Sequence, residues 1–547
     1  MGMTSLRAAT STLPHRAALT GRIQVEVIVV GAGIVGLTTA LILAQQGRSV
    51  AVIDAHRIGR GATGGSTGNL YATVADGLAA LVKKWDAQTA RAVVASRTEA
   101  IAWIEQQTTV RHSDCAFRRC PMFQYAISEQ AEGRLQDELD AARLAGMAVD
   151  WTDHVPKPLP VPCGRVLVLP GQAQFHPLRY MHALAAHAEQ CGVQVYEHSP
   201  AMELDAGSGV VRTPAGRLVG RHIVLATHTP IGFHFIQAGM QVRREYGLAF
   251  RLGGDALAPG IFWALGMPRL SVRSFETDGQ RYLLCIGEHH ETGRHDAAAA
   301  LARLIAEAQT ALQLGEPAWR WSAQHYHSPD ELPYIGQDSA GFYVATGFST
   351  DGLVYGTLAG RLIADQINGE NRWSELYRVR RFHPERAGSN MFKANAGVAK
   401  EFFYDYVTHR SAKPAQAQAL APGQGAIVRL GHERVAAYRD AAGALHVVSA
   451  VCTHMKCMVH WNAVERSWDC PRHGSRYSPD GQVLEGPALS PLRNQLVLLQ
   501  NHEVGECHPT ETASNDTRGR PAMSARQSDD EGARRNASDA ASDGDSQ

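Results

Sequence analysis

The spacing of apolar side chains changes period several times along the chain, and each change marks an element. Val25 to Val30 is a largely β-branched run of strand length. Gly31-Ala-Gly33-Ile34-Val35-Gly36 and an apolar-periodic stretch ending near Gln46-Gly47 follow it, which predicts a strand, a turn and a helix. A second strand, Val50 to Asp54, comes at once. Val27 to Ala44 holds eighteen residues without a charge, long enough to suggest a membrane span, but Gly31, Gly33 and Gly36 divide it, so no span is expected. Far downstream, Ala426 to Leu430, Val435 to Tyr438 and Leu445 to Val448 are short β-like runs. They follow a helical Asn395 to Tyr406 stretch and an Ala-, Gln- and Pro-rich linker from Thr408 to Gly425. The ends lack periodicity. Residues 1–23 are expected to be a frayed tail, and residues 507–547 too poor in large apolar side chains to offset their ordering entropy.

Composition narrows the classes. A chain of 547 residues holds about three or four modules. With 53 Lys and Arg against 53 Asp and Glu the formal charge is zero, which gives no footprint for nucleic acid or an acidic membrane surface. Nine cysteines, an odd number thinly spread, predict reduced thiols, some of them ligands.

The first chemical constellation is the strand, GxGxxG, helix order. Gly31 makes the tight turn, Gly33 lets a pyrophosphate approach the backbone, and Gly36 permits close packing of helix on strand. The helix N-terminus then favours phosphate, and Asp54, ending the next strand, stands where it can accept a ribose hydroxyl. Gly61-Ala62-Thr63-Gly-Gly-Ser66-Thr67-Gly-Asn69 resembles the glycine-rich second loop of flavoproteins of the D-amino-acid oxidase, glycine oxidase and sarcosine oxidase family. Phe175-His-Pro177 with Tyr180, Ile223 to Thr227, Asp330 to Gly336, and Ala345 to Gly360 are similar to that family's pattern too, so the resemblance covers about residues 24–370. It implies FAD, held by Gly31, Gly33, Ile34, Val35, Gly36 and Asp54, by Ala62, Thr63, Ser66, Thr67 and Asn69, and by Ala226 and Thr227. Gly347, Ser349, Asp351, Gly352 and Leu353 complete the set, on a turn whose helix points its N-terminus at the flavin pyrimidine. Some sarcosine-oxidase relatives attach FAD through a cysteine near the segment Trp321 to His327, which has none here, so FAD is expected to be non-covalent.

The family architecture also places Tyr246, His289, His290, Gln324, His325 and Tyr326 on or beside strands facing a flavin, and Tyr246, His290 and His325 are the catalytic candidates. Relatives carry Pro-x-Arg-Gly-Gln where this chain has Val242-Arg-Arg-Glu-Tyr246, so no carboxylate-binding arginine is carried over.

The second constellation is Cys452-Thr-His454, fifteen residues, then Cys470-Pro-Arg-His473. Two thiolates can hold one ferric ion and two imidazoles the other, as in a Rieske [2Fe–2S] cluster, whose neutral ligands raise the potential to roughly −150 to +300 mV. A zinc site is the competing reading, but zinc fingers pair Cys with Cys and His with His, whereas both halves here mix them. The segment from about 424 to 503 resembles the Rieske family further. Ser475 and Tyr477 match the positions whose hydroxyls bond cluster sulfur, and Gly486-Pro487-Ala488 matches the covering proline loop. Respiratory relatives pin their ligand loops with a disulfide; Cys457 supplies one half, but Arg472 occupies the other position, so the resemblance implies a cytoplasmic, reducing setting, and His454 and His473 are expected to be more exposed. Cys115, Cys120, Cys163, Cys191, Cys285 and Cys507 read as structural thiols.

These readings predict a Rossmann-like α/β FAD domain with an interleaved α+β, antiparallel-sheet substrate domain, followed by a small all-β Rieske domain. FAD-binding segments are expected at about 24–80, 166–231 and 326–370, and substrate-domain segments at 81–165 and 232–325. A helical extension at 371–405, a linker at 406–423 and the Rieske domain at 424–506 follow. With the cofactors in separate domains, loss of a cluster ligand is expected to leave flavin bound. The implied function is oxidation of a small amine or amino acid by hydride transfer to flavin N5, with electrons leaving through the cluster to a one-electron acceptor protein or quinone. The rival is a reductase component feeding an oxygenase, against which stand the missing second nucleotide fingerprint and the missing 2-His-1-carboxylate domain.

Overall fold

The computed structural model describes residues 3–11, 14–110, 113–153, 163–253, 259–266, 270–381, 417–430 and 433–496. They lie in one compact unit, Met1–His502; the second unit, Glu503–Gln547, is outside the described residues, as are the predicted helix at 395–406 and the C-terminal tail.

A six-stranded sheet runs in the order Tyr334–Gln337, Tyr343–Thr346, His222–Leu225, Val27–Val30, Val50–Ile53, Gln194–Tyr196. All neighbours are parallel except the first pair. Val27–Val30 and Val50–Ile53 are buried at every position, because apolar residues cover both faces of a parallel sheet and alternation is lost. The helices Ile34–Gln45 and Gly352–Asn368 pack against each other across small residues. The glycine at 36 is obligatory: a Cβ there would stand 1.9 Å from the Gly31 carbonyl oxygen.

The second sheet has nine strands. Eight run in the order Trp319–His327, Gln241–Arg251, Gln280–Glu291, Ser271–Thr277, Ile261–Leu265, Arg118–Ala126, Cys163–Gln174, Asn69–Leu70, and Asp150–Thr152 pairs beside Cys163–Gln174. The ladder is antiparallel apart from Ile261–Leu265 against Arg118–Ala126. Two boundaries therefore differ from the sequence division. Asn69–Leu70 and Cys163–Gln174 pair with each other inside this sheet rather than with the FAD-binding one.

The N-terminal segment is not the frayed tail that its composition suggests. Leu6–Ala9 is a helix capped by Ser5, Leu6 is fully buried, and the buried Arg7 lies 3.7 Å over the Phe275 ring. Gly21–Gln24 joins Gly216–Val219, Val210–Arg212 and Glu203–Asp205 in a small sheet. Neither element is amphipathic over enough residues to announce itself by period.

The C-terminal domain has two sheets, Gly425–Leu430, Glu433–Arg439 and Leu445–Ser449, then His460–Asn462, Ser467–Asp469, Arg476–Tyr477 and Val483–Glu485. Ala417, within the expected linker, is buried beneath the first of them with Val428 and Leu430. Among the described residues no helix is long and apolar enough to cross a membrane.

Candidate functional site

One cavity lies between the two large sheets and the C-terminal domain. From the six-stranded sheet Gly31, Gly33, Ile34, Val35 and Asp54 line it, joined by Ala62, Thr63, Ser66 and Thr67, by Ala226 and Thr227, and by Ser349, Gly352 and Leu353. The helices beginning at Ile34 and Gly352 both open on it, and neither carries a side-chain cap at its N-cap residue. Ile34 N–H donates to Thr63 Oγ1 at 3.3 Å, and the dipoles of both helix ends suit anionic or electron-rich groups. Asp54 accepts from the backbone N–H groups of Ala32 and His56, each at 2.8 Å, which fixes the carboxylate at the rim. Burial outweighs these bonds and pushes its pKa up. This cradle of small residues, two helix N-termini and a fixed carboxylate fits a dinucleotide.

Four residues carried over as cofactor ligands lie outside the lining. Gly36 serves helix packing, and Gly347, at φ +80°, turns the chain. Asn69 sits in its strand with Arg273 3.4 Å from its side-chain oxygen. Asp351 is 4% exposed and committed elsewhere: it accepts from the Tyr71 hydroxyl at 2.6 Å and the Ala75 N–H at 3.0 Å and pairs with Arg97 at 3.1 Å. It locks the second helix in place rather than presenting a carboxylate to the cavity.

Of the catalytic candidates, Tyr246 and His325 line the cavity and His290 does not. His290 stacks on the far side of Tyr246, ring centroids 5.3 Å apart, with its Nδ1 2.7 Å from the Glu288 carbonyl. Strand alternation and a bulge between Arg244 and Tyr246 decide which side chain faces in. Among the described residues the Tyr246 hydroxyl and both His325 ring nitrogens are buried without a hydrogen-bond partner. Burial holds Tyr246 protonated far above neutrality. Burial, then the neighbouring His327 and His289, depress His325 well below the usual imidazole range, so it is neutral. His289 is 3.3 Å from Glu245, which also lines the cavity. Arg244 points away and pairs with Glu465 of the C-terminal domain at 2.7 Å, and it also donates to Ser322.

The four expected cluster ligands converge. Cys452 and Cys470 are buried, and the His454 and His473 rings lie 4.9 Å apart, nearly perpendicular. The Nδ1 atoms of both histidines are buried without a partner among the described residues. His454 Nε2–H donates to the Gly232 carbonyl at 3.1 Å, which leaves the lone pair on Nδ1. Two thiols and two unpartnered imidazole nitrogens fit a [2Fe–2S] cluster. The Tyr477 hydroxyl lies 3.1 Å from Cys452 Sγ, and Ser475 Oγ accepts from the Ala488 N–H at 3.1 Å. The adjacent Cys470 and burial push the Cys452 thiol up; bound iron would hold both sulfurs as thiolates.

His473 is 4% exposed and His454 half-buried, with the flavin domain packed against both ligand loops. Cys457 forms no disulfide, and Arg472 donates to the Ala238 carbonyl at 2.7 Å, so the two ligand loops are held by Gly232 and Ala238 instead. Strand Trp319–His327 reaches both sites: Ala323, Gln324 and His325 line the cavity, Gln324 Nε2 donates to the Gly474 carbonyl at 3.0 Å, and Tyr326 donates to the His473 carbonyl at 3.1 Å. Gly474 permits this approach, since at φ +75° its Cβ would sit 2.6 Å from Gln324 Nε2. Sequence reading missed the cavity residues contributed by the C-terminal domain, Val483 to Gly486 with Ala488 and Leu489. Glu485 there contacts His228 at 3.4 Å; burial raises its pKa, but His228 and Arg476 outweigh that and hold it low.

Comparison with known proteins follows this division. The pattern described as FAD dependent oxidoreductase matches residues 26–366, and that described as Rieske [2Fe-2S] domain matches residues 412–498. The Rieske 2Fe-2S iron-sulfur protein YhfW of Bacillus subtilis is 30% identical over 497 residues, covering 88% of this chain and 96% of that one. The gamma-glutamylputrescine oxidoreductase of Escherichia coli is 24% identical over 361 residues, 64% of this chain and 85% of that one. Among solved structures, glycine oxidase from Geobacillus kaustophilus superposes with a TM-score of 0.55 at 19% identity, over 66% of this chain and 99% of that one.

Proposed function

The chain belongs to the FAD dependent oxidoreductase family and carries a C-terminal Rieske [2Fe–2S] domain, and from that premise we propose that it oxidises a small amine or amino acid and passes the electrons on through the cluster. Bound FAD would supply hydride acceptance at N5, and the cluster would supply transfer of single electrons. The protein's own part is positioning. His325, neutral and buried, offers a lone pair that can accept a hydrogen bond from a substrate N–H and so orient the nitrogen in the cavity. Tyr246, held protonated, offers an O–H to an electron-rich substrate atom. Trp321, Ile286 and Phe348 line the same cavity and exclude water from it.

The observation that carries the electron-transfer reading is the single strand Trp319–His327, which lines the cavity and holds the cluster loop through Gln324 and Tyr326. The relatives named for gamma-glutamylputrescine and glycine support a nitrogen-bearing substrate.

The test is anaerobic addition of a panel of amines and D- and L-amino acids to the purified protein, with flavin absorbance and the cluster's paramagnetic resonance followed together. Bleaching by a member of the panel, followed by the reduced-cluster signal, is the expected result. Reduction by NAD(P)H alone would make the chain a reductase component instead.

A further inference from the structure

The C-terminal domain's contribution to the cavity wall has a location that matters. Phosphate favours the N-terminus of the Ile34–Gln45 helix, and Asp54 is the group for a ribose hydroxyl, so the cavity beyond Asp54 is the adenosine end. His56, Pro200 and Ala201 stand there. His56 Nε2–H donates to the Leu484 carbonyl at 3.2 Å, while the His56 backbone N–H donates to Asp54. The short turn from the carboxylate is therefore tied directly to the Rieske domain. Further along, Gly232 N–H donates to the Pro487 carbonyl at 2.9 Å, and a Cβ at Gly486 would meet Ile231 Cγ2 at 2.9 Å, so the segment lies tight against the cavity's rim. Leu484 lines the cavity yet is 39% exposed, an apolar side chain presented to the space that an adenine ring would fill.

We propose that the Rieske segment Val483–Leu489 is a further FAD-binding segment, a wall over the adenosine half of the cofactor, so that FAD leaves only when this segment moves. The proposal rests on the assignment of the cavity to FAD. The segment bonds the flavin domain at both ends, through His56 and through Gly232, and its domain is anchored by the Arg244–Glu465 pair. Flavin retention and docking of the iron–sulfur domain are then one event, and the two cofactors are not independent as their separate motifs suggest.

The experiment measures FAD release from the full-length holoprotein after dilution, by the fluorescence of freed flavin, in wild type, Leu484→Ala, Leu484→Met and His56→Ala. Denatured wild type should yield one FAD per chain. Leu484→Ala should release FAD about tenfold faster, equivalent to about 1.4 kcal/mol, Leu484→Met should restore slow release, and His56→Ala should also accelerate it. The paramagnetic resonance of the reduced cluster should be unchanged in all of them, which separates a lost wall from a misfolded domain. Release within twofold of wild type in both alanine variants would overturn the proposal with the cavity's assignment intact. A wild-type chain that yields no FAD would overturn the assignment itself and the proposal with it.

Discussion

The hydroxyl of Tyr326 donates to the backbone carbonyl of His473 at 3.1 Å, joining the strand that lines the cavity assigned to flavin to a proposed ligand of the cluster. Tyr326 is buried, and burial holds it protonated, so the bond persists over any working pH. Tyr326→Phe removes the donor and leaves a buried carbonyl with one partner fewer. The expected loss is about 1–3 kcal/mol of stability, read by denaturant unfolding followed at the cluster's visible absorbance, with both cofactors still bound in the folded variant.

Tyr477 packs in the core of the C-terminal domain, and its hydroxyl stands where it can also act on the cluster. Its hydroxyl lies 3.1 Å from Cys452 Sγ, and an O–H donated to a ligand sulfur stabilises the extra negative charge of the reduced state. Tyr477→Phe should lower the midpoint potential. A bond of about 0.5–1.5 kcal/mol corresponds to roughly 20–60 mV for one electron, measurable by voltammetry or by resonance-monitored redox titration.

Arg244 joins the flavin domain to the Rieske domain, with Glu465 2.7 Å away and both side chains buried. Arg244→Leu leaves Glu465 with Arg476, at 2.6 Å, as its remaining cationic partner. Breaking a buried pair from one side costs about 3–5 kcal/mol, and Arg476 should keep the loss near the lower end. Thermal unfolding of the holoprotein checks this, and adding salt should not restore the loss, since a buried pair is poorly screened.

His176 gives the stability of the flavin domain a pH dependence. It caps the helix Pro177–Gln190, its Nδ1 accepting from Arg179 N–H, and burial, followed by Arg7 and Arg179, depresses its pKa to about 2. In the unfolded chain the group titrates near 6.5. Above that pH both states are neutral and the residue adds no pH dependence. Below it the unfolded state takes up a proton that the folded state refuses, so stability falls by about 1.4 kcal/mol per pH unit. His176→Asn keeps a good cap and abolishes the titration. Between pH 7 and pH 5 wild type should lose about 2 kcal/mol more than this variant.

Much of the molecule was legible in the sequence where chemistry imposes spacing. The glycines at 31, 33 and 36 and the CxH and CxxH pairs could be read because a phosphate or a cluster demands particular residues close together in the chain. Side-chain direction was less legible. His290 and Asp351 are the right residue types in the right segments, yet a bulge turns one behind Tyr246 and a buried arginine claims the other. Contacts of long sequence separation left no signal at all. His56 meets Leu484 across 428 positions, and no local pattern marks either residue. The helix at Leu6–Ala9 is too short for a period, and its order comes from burial of Leu6 and Arg7.

The central claim is that electrons pass from substrate through flavin to the cluster within one chain. Single-turnover mixing of the oxidised protein with a reducing amine, without oxygen, tests it most directly. Flavin absorbance should fall first and then partly recover as the reduced Rieske signal grows at the same rate, with each independent of protein concentration. Flavin that bleaches and stays bleached while the cluster remains oxidised would contradict the account.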